Sequence, residues 1–313
     1  MYASGLAATF GALSRLLPTR VAISGGYHGT HLVLDQLARI SGGASCQAIP
    51  LPSPAEVASS PLQPGDVIFL ETPRNPDCKV ADIGAYVAAA KAIGGVRVVV
   101  DGTFAPPPLQ RPLLLGADIV MHSTTKSLAG HSDAIGGALC VSDAALAEAL
   151  RADRTAVGST PGSLEVWLLM RSLRTLHLRV ERQSATAAYL AAWLHRAASG
   201  EAGHPLAGLV HSVQHPSLPS DPSHETASRQ MTGGFGGCFA LELTTEAAAR
   251  ALPAALSLFR DATSLGGVES LIEWRRKYDD AISPLLLRCS VGLEEADHLR
   301  ADLERAILAV NAA

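Results

Sequence analysis

Residues 118–137 hold the densest set of groups that could do chemistry. The stretch reads Asp118-Ile-Val-Met-His-Ser-Thr-Thr-Lys126-Ser-Leu-Ala-Gly-His-Ser-Asp-Ala-Ile-Gly-Gly137. An apolar run ends in Ser123, Thr124, Thr125 and Lys126, and a Gly-rich segment follows. Hydroxyls beside a lysine at the end of a strand make a setting suited to phosphate. A lysine held in apolar or cationic surroundings has a lowered pKa and serves as an amine nucleophile. Taken alone, the same pattern also fits a Ser/Thr-rich turn with a solvated lysine. A second feature shifts the balance. Val98-Val99-Val100-Asp101 puts a carboxylate at the C-terminal end of a buried-strand pattern, and ligands of open α/β sheets bind at that edge. An aspartate and a lysine at strand ends suit a group with a pyridinium nitrogen at one end and an aldehyde at the other. By itself, Asp101 would serve equally well as a turn or helix cap.

These residues need a sheet to position them, and the pattern supplies one. Residues 67–70 form a short β-like run after Pro64-Gly65-Asp66, and residues 82–93 are Ala-rich and helical. Residues 96–100, apolar and β-branched apart from Arg97, read as a strand buried on both faces. Residues 116–120 and 135–141 predict two more strands, and residues 7–17 predict a helix followed by a strand. Alternating strands and helices imply a mostly parallel sheet of the α/β class. A long helical stretch is expected over 164–198, and residues 203–229, rich in His, Pro and Ser, read as a loop or linker. Strands near 237–243 and 285–291, with helices near 247–259 and 295–310, predict a smaller α+β domain at the C-terminus. The expected division is 1–185 and 186–313.

Composition narrows the class. At 313 residues the chain suits about two domains and buries a sizeable core. With 48% hydrophobic residues and a net charge of −4, wholesale disorder is excluded. The balance of 25 basic against 29 acidic residues gives no global basic field, so no nucleic-acid partner is expected. No transmembrane segment is predicted. The cysteines, Cys46, Cys78, Cys140, Cys238 and Cys289, are scattered and odd in number, which fits small buried hydrophobes in a reducing compartment rather than a disulfide framework. His28, His31, His122 and His131 fall near the candidate site without HxxxH or HxH spacing, and no metal is expected. The glycines at 233, 234, 236 and 237 precede an apolar run, which points to close backbone packing rather than a nucleotide loop. Arg15 and Arg20, with no acid before residue 35, would fit a transit peptide, but the N-terminal residues have a place in the site pattern below, and a cytoplasmic protein is expected.

Asp101, His122-Ser-Thr-Thr-Lys126, Gly130-His-Ser-Asp133 and Gly136-Gly137 together resemble the Cys/Met-metabolism family of pyridoxal-phosphate enzymes, which includes cystathionine γ-synthases, cystathionine lyases and O-acyl-homoserine sulfhydrylases. Further matches follow in order. Ser4-Gly5-Leu6-Ala7-Ala8 is similar to the family's phosphate loop, Gly25-Gly-Tyr27-His-Gly29 to its ring-stacking tyrosine segment, and Glu71-Thr-Pro-Arg-Asn75-Pro76 to its ETPxNP-type motif. Residues 264–271 and 287–292 resemble its C-terminal substrate motifs. The resemblance implies a fold-type I large domain and a smaller C-terminal domain. It also implies roles: Lys126 as the Schiff-base lysine and proton carrier, Asp101 opposite the pyridine nitrogen, and Tyr27 stacked on the ring as a possible acid or base. Ser4, Gly5, Leu6, Ser123 and Thr125 would hold the phosphate, Asn75 the ring oxygen, and Arg288 the substrate α-carboxylate, with Ser264 lining the substrate site.

The activity implied is γ-replacement on an O-acyl-homoserine with cysteine, as in a cystathionine γ-synthase. The alternatives are a cystathionine γ- or β-lyase, and a shortened, weakly active or non-catalytic homologue. The last is suggested by the start of the sequence inside the family pattern, where relatives carry a preceding arm with a Tyr-x-Arg element. Thr263 stands where typical γ-synthases and γ-lyases have glutamate, so the resemblance leaves the subclass open, while residues 271–276 look most like fungal γ-synthases. Amino-acid substrates and a homodimer or homotetramer are the implied partners.

Overall fold

The computed structural model describes residues 1–312. The chain divides into two compact units, Met1–Asn75 with Ala81–Arg174, and Pro76–Val80 with Thr175–Ala313. The second unit is thus discontinuous in sequence, with a short piece at Pro76–Val80 and its main piece starting at Thr175, earlier in the chain than residue 186.

In the first unit the elements are α1 (Gly5–Leu16), β1 (Arg20–Ile23), α2 (His28–Ile40), β2 (Gln47–Pro50), β3 (Val67–Glu71), α3 (Ile83–Ile93), β4 (Arg97–Asp101), β5 (Ile119–Ser123), β6 (Gly137–Cys140), α4 (Ala144–Ala156) and α5 (Ser163–Leu173). The strands form one sheet in the order β2-β1-β3-β4-β5-β6. All neighbours run parallel except β6, which is antiparallel to β5. Alternate residues of the apolar runs feed two cores. Ile68, Leu70, Val98 and Val100 pack with Ile83, Tyr86 and Val87 of α3. Val67, Phe69, Val99 and Ile119 pack with Leu13 of α1 and Val33, Leu34 and Leu37 of α2. A strand covered on both faces needs apolar residues at every position, which is why these runs are unbroken. The helices start where the side chains offer caps: Asp82 Oδ1 accepts the Ala85 N–H at 2.9 Å and Ser4 Oγ the Ala7 N–H at 3.0 Å.

The second unit carries α6 (Leu176–Ala198), β7 (Val210–Gln214), α7 (His224–Gln230), β8 (Cys238–Leu243), α8 (Glu246–Ala255), β9 (Arg260–Asp261), β10 (Leu271–Trp274), β11 (Leu286–Ser290) and α9 (Ala296–Ala312). Its sheet runs β7-β8-β11-β10-β9 and is antiparallel apart from the β9–β10 pair. Phe239, Leu241 and Leu243 of β8 alternate toward a core with Leu190 and Leu194 of α6, Leu252 of α8, and Leu303 and Ile307 of α9.

Three expectations change. The single helix over 164–198 is two helices, α5 and α6, parted at Arg174 and Thr175. No Gly or Pro marks that break, so nothing local announced it. Residues 203–229 are not a plain loop, since they contain β7 and most of α7. Their polar side chains bond internally: His215 is 0% exposed, with Nδ1 2.7 Å from Ser217 Oγ and Nε2 3.3 Å from the Gly236 carbonyl oxygen. Cys140 is exposed, while the other four cysteines are buried as small hydrophobes.

Burial pulls the His215 imidazole down to about 4 from 6.5. Between those values the unfolded chain binds a proton that the folded chain does not, so stability falls as pH drops through that window. Thermal melts at neutral pH and near pH ~4.5 are expected to show this loss, and His215→Gln is expected to show less of it. Equal losses in both proteins would remove His215 as the cause. Among the described residues no helix is long and apolar enough to cross a membrane.

Candidate active site

In the first unit, parallel strands deliver the candidate residues to one edge. Asp101 closes β4 and Ser123 closes β5, with Thr125 and Lys126 in the turn that follows. Glu71 closes β3, Asn75 follows it, and Tyr27 lies between the end of β1 and the start of α2. Asp101, Asn75 and Glu71 are buried, Lys126 and Ser123 half-buried, and Tyr27 exposed. The carboxyl edge expected to hold the site therefore gathers Tyr27, Asn75, Asp101, Ser123, Thr125 and Lys126.

The Asp101 end is organised by its neighbours. Its Oδ1 accepts the Thr103 N–H at 2.9 Å, and Thr103 Oγ1 accepts the Ser123 N–H at 2.9 Å. Thr103 thereby links the two strand ends, a role that sequence reading missed. A cross-strand hydroxyl has no signature beyond following the aspartate by two residues. Burial pushes Asp101 up to about 6. Glu71, its Cα partner in the β3–β4 register, is pushed up to about 8, first by burial and then by Asp101. Two adjacent buried carboxylates resist a second charge. His122, on β5, is driven down to about 4 by burial and stays neutral, and its Nδ1 has no partner among the described residues.

The N-terminus of α1 meets the end of β5. A Cβ on Gly5 would lie 3.0 Å from both Cβ and Oγ of Ser123, so any side chain there would have to push the Ser123 hydroxyl aside. Ser4 is used as the helix cap, accepting the Ala7 N–H through Oγ and the Ala8 N–H through its carbonyl. The first-turn amides of Gly5 and Leu6 remain as helix-end donors beside the Ser123 hydroxyl, an arrangement suited to a dianionic phosphate. Ser4 Oγ and Thr125 Oγ1 are otherwise occupied: Thr125 Oγ1 donates to the Gly136 carbonyl at 3.3 Å and accepts the Gly136 N–H at 3.0 Å. The backbone of Lys126 is held by its own N–H to the Ser123 carbonyl at 3.2 Å and by the Gly130 N–H to its carbonyl at 2.7 Å.

Ser264 and Arg288 lie in the second unit. Arg288, on β11, is 4% exposed, and its Nη2 donates to the Thr263 and Ser264 carbonyls at 3.0 and 3.1 Å. It also pairs with Glu273 Oε2 at 2.9 Å, directly across from it on β10, and the same oxygen pairs with Arg275 Nη1 at 2.7 Å. The sequence reading passed over Glu273. An acid in an otherwise apolar strand was the available signal.

The donor set in the first unit fits pyridoxal phosphate. Helix-end amides and a hydroxyl converge in a cradle that a Cβ would fill, and a buried carboxylate and a lysine end adjacent strands. Comparison with known proteins agrees. The family model for Cys/Met metabolism PLP-dependent enzymes matches residues 1–308. The chain is 43% identical over 250 residues to the cystathionine γ-synthase of Mycobacterium bovis, covering 77% of this chain and 61% of that protein's length. It is 36% identical over 321 residues to the cystathionine β-lyase of Coxiella burnetii, covering 98% and 80%. It is similar in structure to the cystathionine γ-synthase of Xanthomonas oryzae pv. oryzae solved with cystathionine. There the TM-score is 0.88 at 34% identity, with 99% of this chain and 81% of that chain covered. Sequence motifs, strand-end geometry and relatives agree that this chain belongs to the Cys/Met-metabolism family of PLP-dependent enzymes.

Proposed function

We propose that the protein catalyses γ-replacement on an O-acyl-homoserine with cysteine, the reaction type of a cystathionine γ-synthase. The observation that carries the reading is the meeting of the α1 N-terminus with Ser123, next to the strand ends bearing Asp101 and Lys126. When bound, pyridoxal phosphate supplies an electron sink that stabilises negative charge on the substrate's α-carbon.

The chain's own residues do the rest. The Lys126 amine attaches the cofactor and, once released, removes the substrate's Cα proton and returns protons farther along the chain. Asp101 keeps the ring nitrogen protonated, for which its ionised form is needed. The Gly5 and Leu6 amides and the Ser123 hydroxyl bind the phosphate, with the Ser4 and Thr125 hydroxyls, engaged by their own backbone partners, shaping the turns around it. Tyr27 covers one face of the ring, and Asn75 meets the ring oxygen. Arg288 is assigned the substrate α-carboxylate because its planar fork matches that group, and Ser264 lines the substrate site.

A lyase reading also has support, since the Coxiella burnetii relative aligned over 98% of the chain is a cystathionine β-lyase. Assays with O-acetyl- or O-succinylhomoserine plus cysteine, run beside cystathionine alone, separate the two. Net formation of cystathionine is expected. Cleavage of cystathionine without any formation would sink the synthase reading.

The proposed setting is a cytoplasmic homodimer or homotetramer. Exposed apolar residues on α5, Leu164, Trp167 and Met170 at 61, 60 and 62%, support a covered face, and no disulfide joins the described cysteines. Light scattering is expected to give a dimer or larger, and a monodisperse monomer would overturn that part.

A further inference from the structure

The strand order β2-β1-β3 makes β1 the point where the winding of the sheet reverses. In open α/β sheets the crevice outside the strand ends at such a point is where ligands sit. Tyr27 follows β1 and Asn75 follows β3, so the two lips of this crevice come from separate pieces of chain. Nothing in the β-ladder fixes the lips to one another, because both residues lie beyond the paired positions.

One side chain spans them. Glu71 Oε2 accepts the Tyr27 N–H at 2.7 Å, and Oε1 accepts the Asn75 N–H at 2.7 Å. The loop is shaped to allow it. Gly26 has φ +119°, in the left-handed region, and a Cβ there would meet Glu71 Oε2 at 2.6 Å. The position is a costly one for a carboxyl group, since it is buried and lies beside Asp101 on the next strand. An apolar residue would avoid that cost but would leave two amides unsatisfied. An amide side chain would satisfy one and set its own NH2 against the other. Only a carboxyl group offers two acceptor oxygens at this spacing.

We propose that Glu71 is a positioning residue for the cofactor ring, a clamp that holds Tyr27 and Asn75 at a fixed separation across the switch point. The inference rests on the ring-contacting roles proposed above for those two residues. Glu71 acts through them and need not touch the ring.

The test is titration of the cofactor-free chain with pyridoxal phosphate, read as a dissociation constant and as the visible circular dichroism of the bound ring, which reports its orientation. Glu71→Gln is expected to weaken binding about 10- to 100-fold, the effect of losing one charge-assisted hydrogen bond and leaving a donor unmet. Its dichroic band is expected to shrink or change sign. Glu71→Asp keeps both acceptors on a shorter stem and is expected to recover part of the affinity and of the band.

Tyr27→Ala and Asn75→Ala run alongside as controls. If both bind and absorb as wild type, the ring-contact roles fail. If they weaken binding while Glu71→Gln matches wild type in affinity and dichroism, the clamp fails alone. Far-UV dichroism and melting of each cofactor-free variant establish that it is folded. Should Glu71→Gln not fold, Glu71→Asp is read by the same criteria. Loss of folding in both would make Glu71 a structural residue and overturn the proposal.

Discussion

Lys126→Ala is expected to abolish covalent capture of the cofactor and to lower turnover by about 1,000-fold or more, because one positioned proton carrier alone contributes about 100- to 10,000-fold. The substitution removes the nucleophile and the proton carrier together. Borohydride treatment of the loaded wild type, followed by peptide mapping, is expected to place the label on Lys126, and the variant is expected to lose it. Lys126→Arg is not expected to rescue either property, since a guanidinium stays protonated up to a pH of about 12 and offers no amine. The fold is expected to survive, because the turn around residue 126 is held by backbone bonds from Ser123 and Gly130. A label scattered over other lysines, or a variant retaining a tenth of the activity, would rule out this assignment of Lys126.

The second large effect is expected in the second unit and shows as an asymmetry. Glu273 Oε2 is shared by Arg288 and Arg275, whose side chains are 4% and 12% exposed. Glu273→Ala leaves two cationic groups side by side with little water to replace the lost carboxylate. Breaking a buried pair from one side costs about 3–5 kcal/mol, and a loss of that size is expected in urea unfolding. Arg288→Met is expected to cost less, because Glu273 keeps Arg275 as its partner. It is expected instead to raise the KM for the amino-acid substrate, as befits the carboxylate role proposed for Arg288. The double variant is expected to be more stable than the sum of the single losses, since residues sharing one network do not add. Equal destabilisation by the two single substitutions, with strict additivity, would contradict the shared-carboxylate account.

Much of this organisation was legible before any fold was in hand. Unbroken apolar runs at 67–70 and 98–100 pointed to doubly covered strands, and β3 and β4 are those strands. A strand-end aspartate, a strand-end lysine and Ser4-Gly5 could be matched in order because motifs of this kind lie in continuous segments. Local pattern also set helix starts, as at Asp82 and Ser4, whose side chains cap the next turn.

Other features depend on which segments become neighbours, and no local pattern encodes that. The division of 164–198 at Arg174 and Thr175 has no breaker residue, and within the polar stretch 203–229 the strand β7 exists by pairing with β8, while His215 just after it is satisfied by Ser217 and Gly236. Glu71 stood in a recognised motif, and its bond to Asn75 is local, yet its bond to Tyr27 exists only because β1 and β3 pair at the switch point. Glu273 and Arg288, 15 residues apart in the β10–β11 register, likewise meet only across an antiparallel pair. Sequence alone determined the sheet type, the family and the groups able to do chemistry, since these follow from residue types in short order. Tertiary structure alone decided which carboxylates clamp or pair with those groups, since that depends on contacts between strands far apart in the chain.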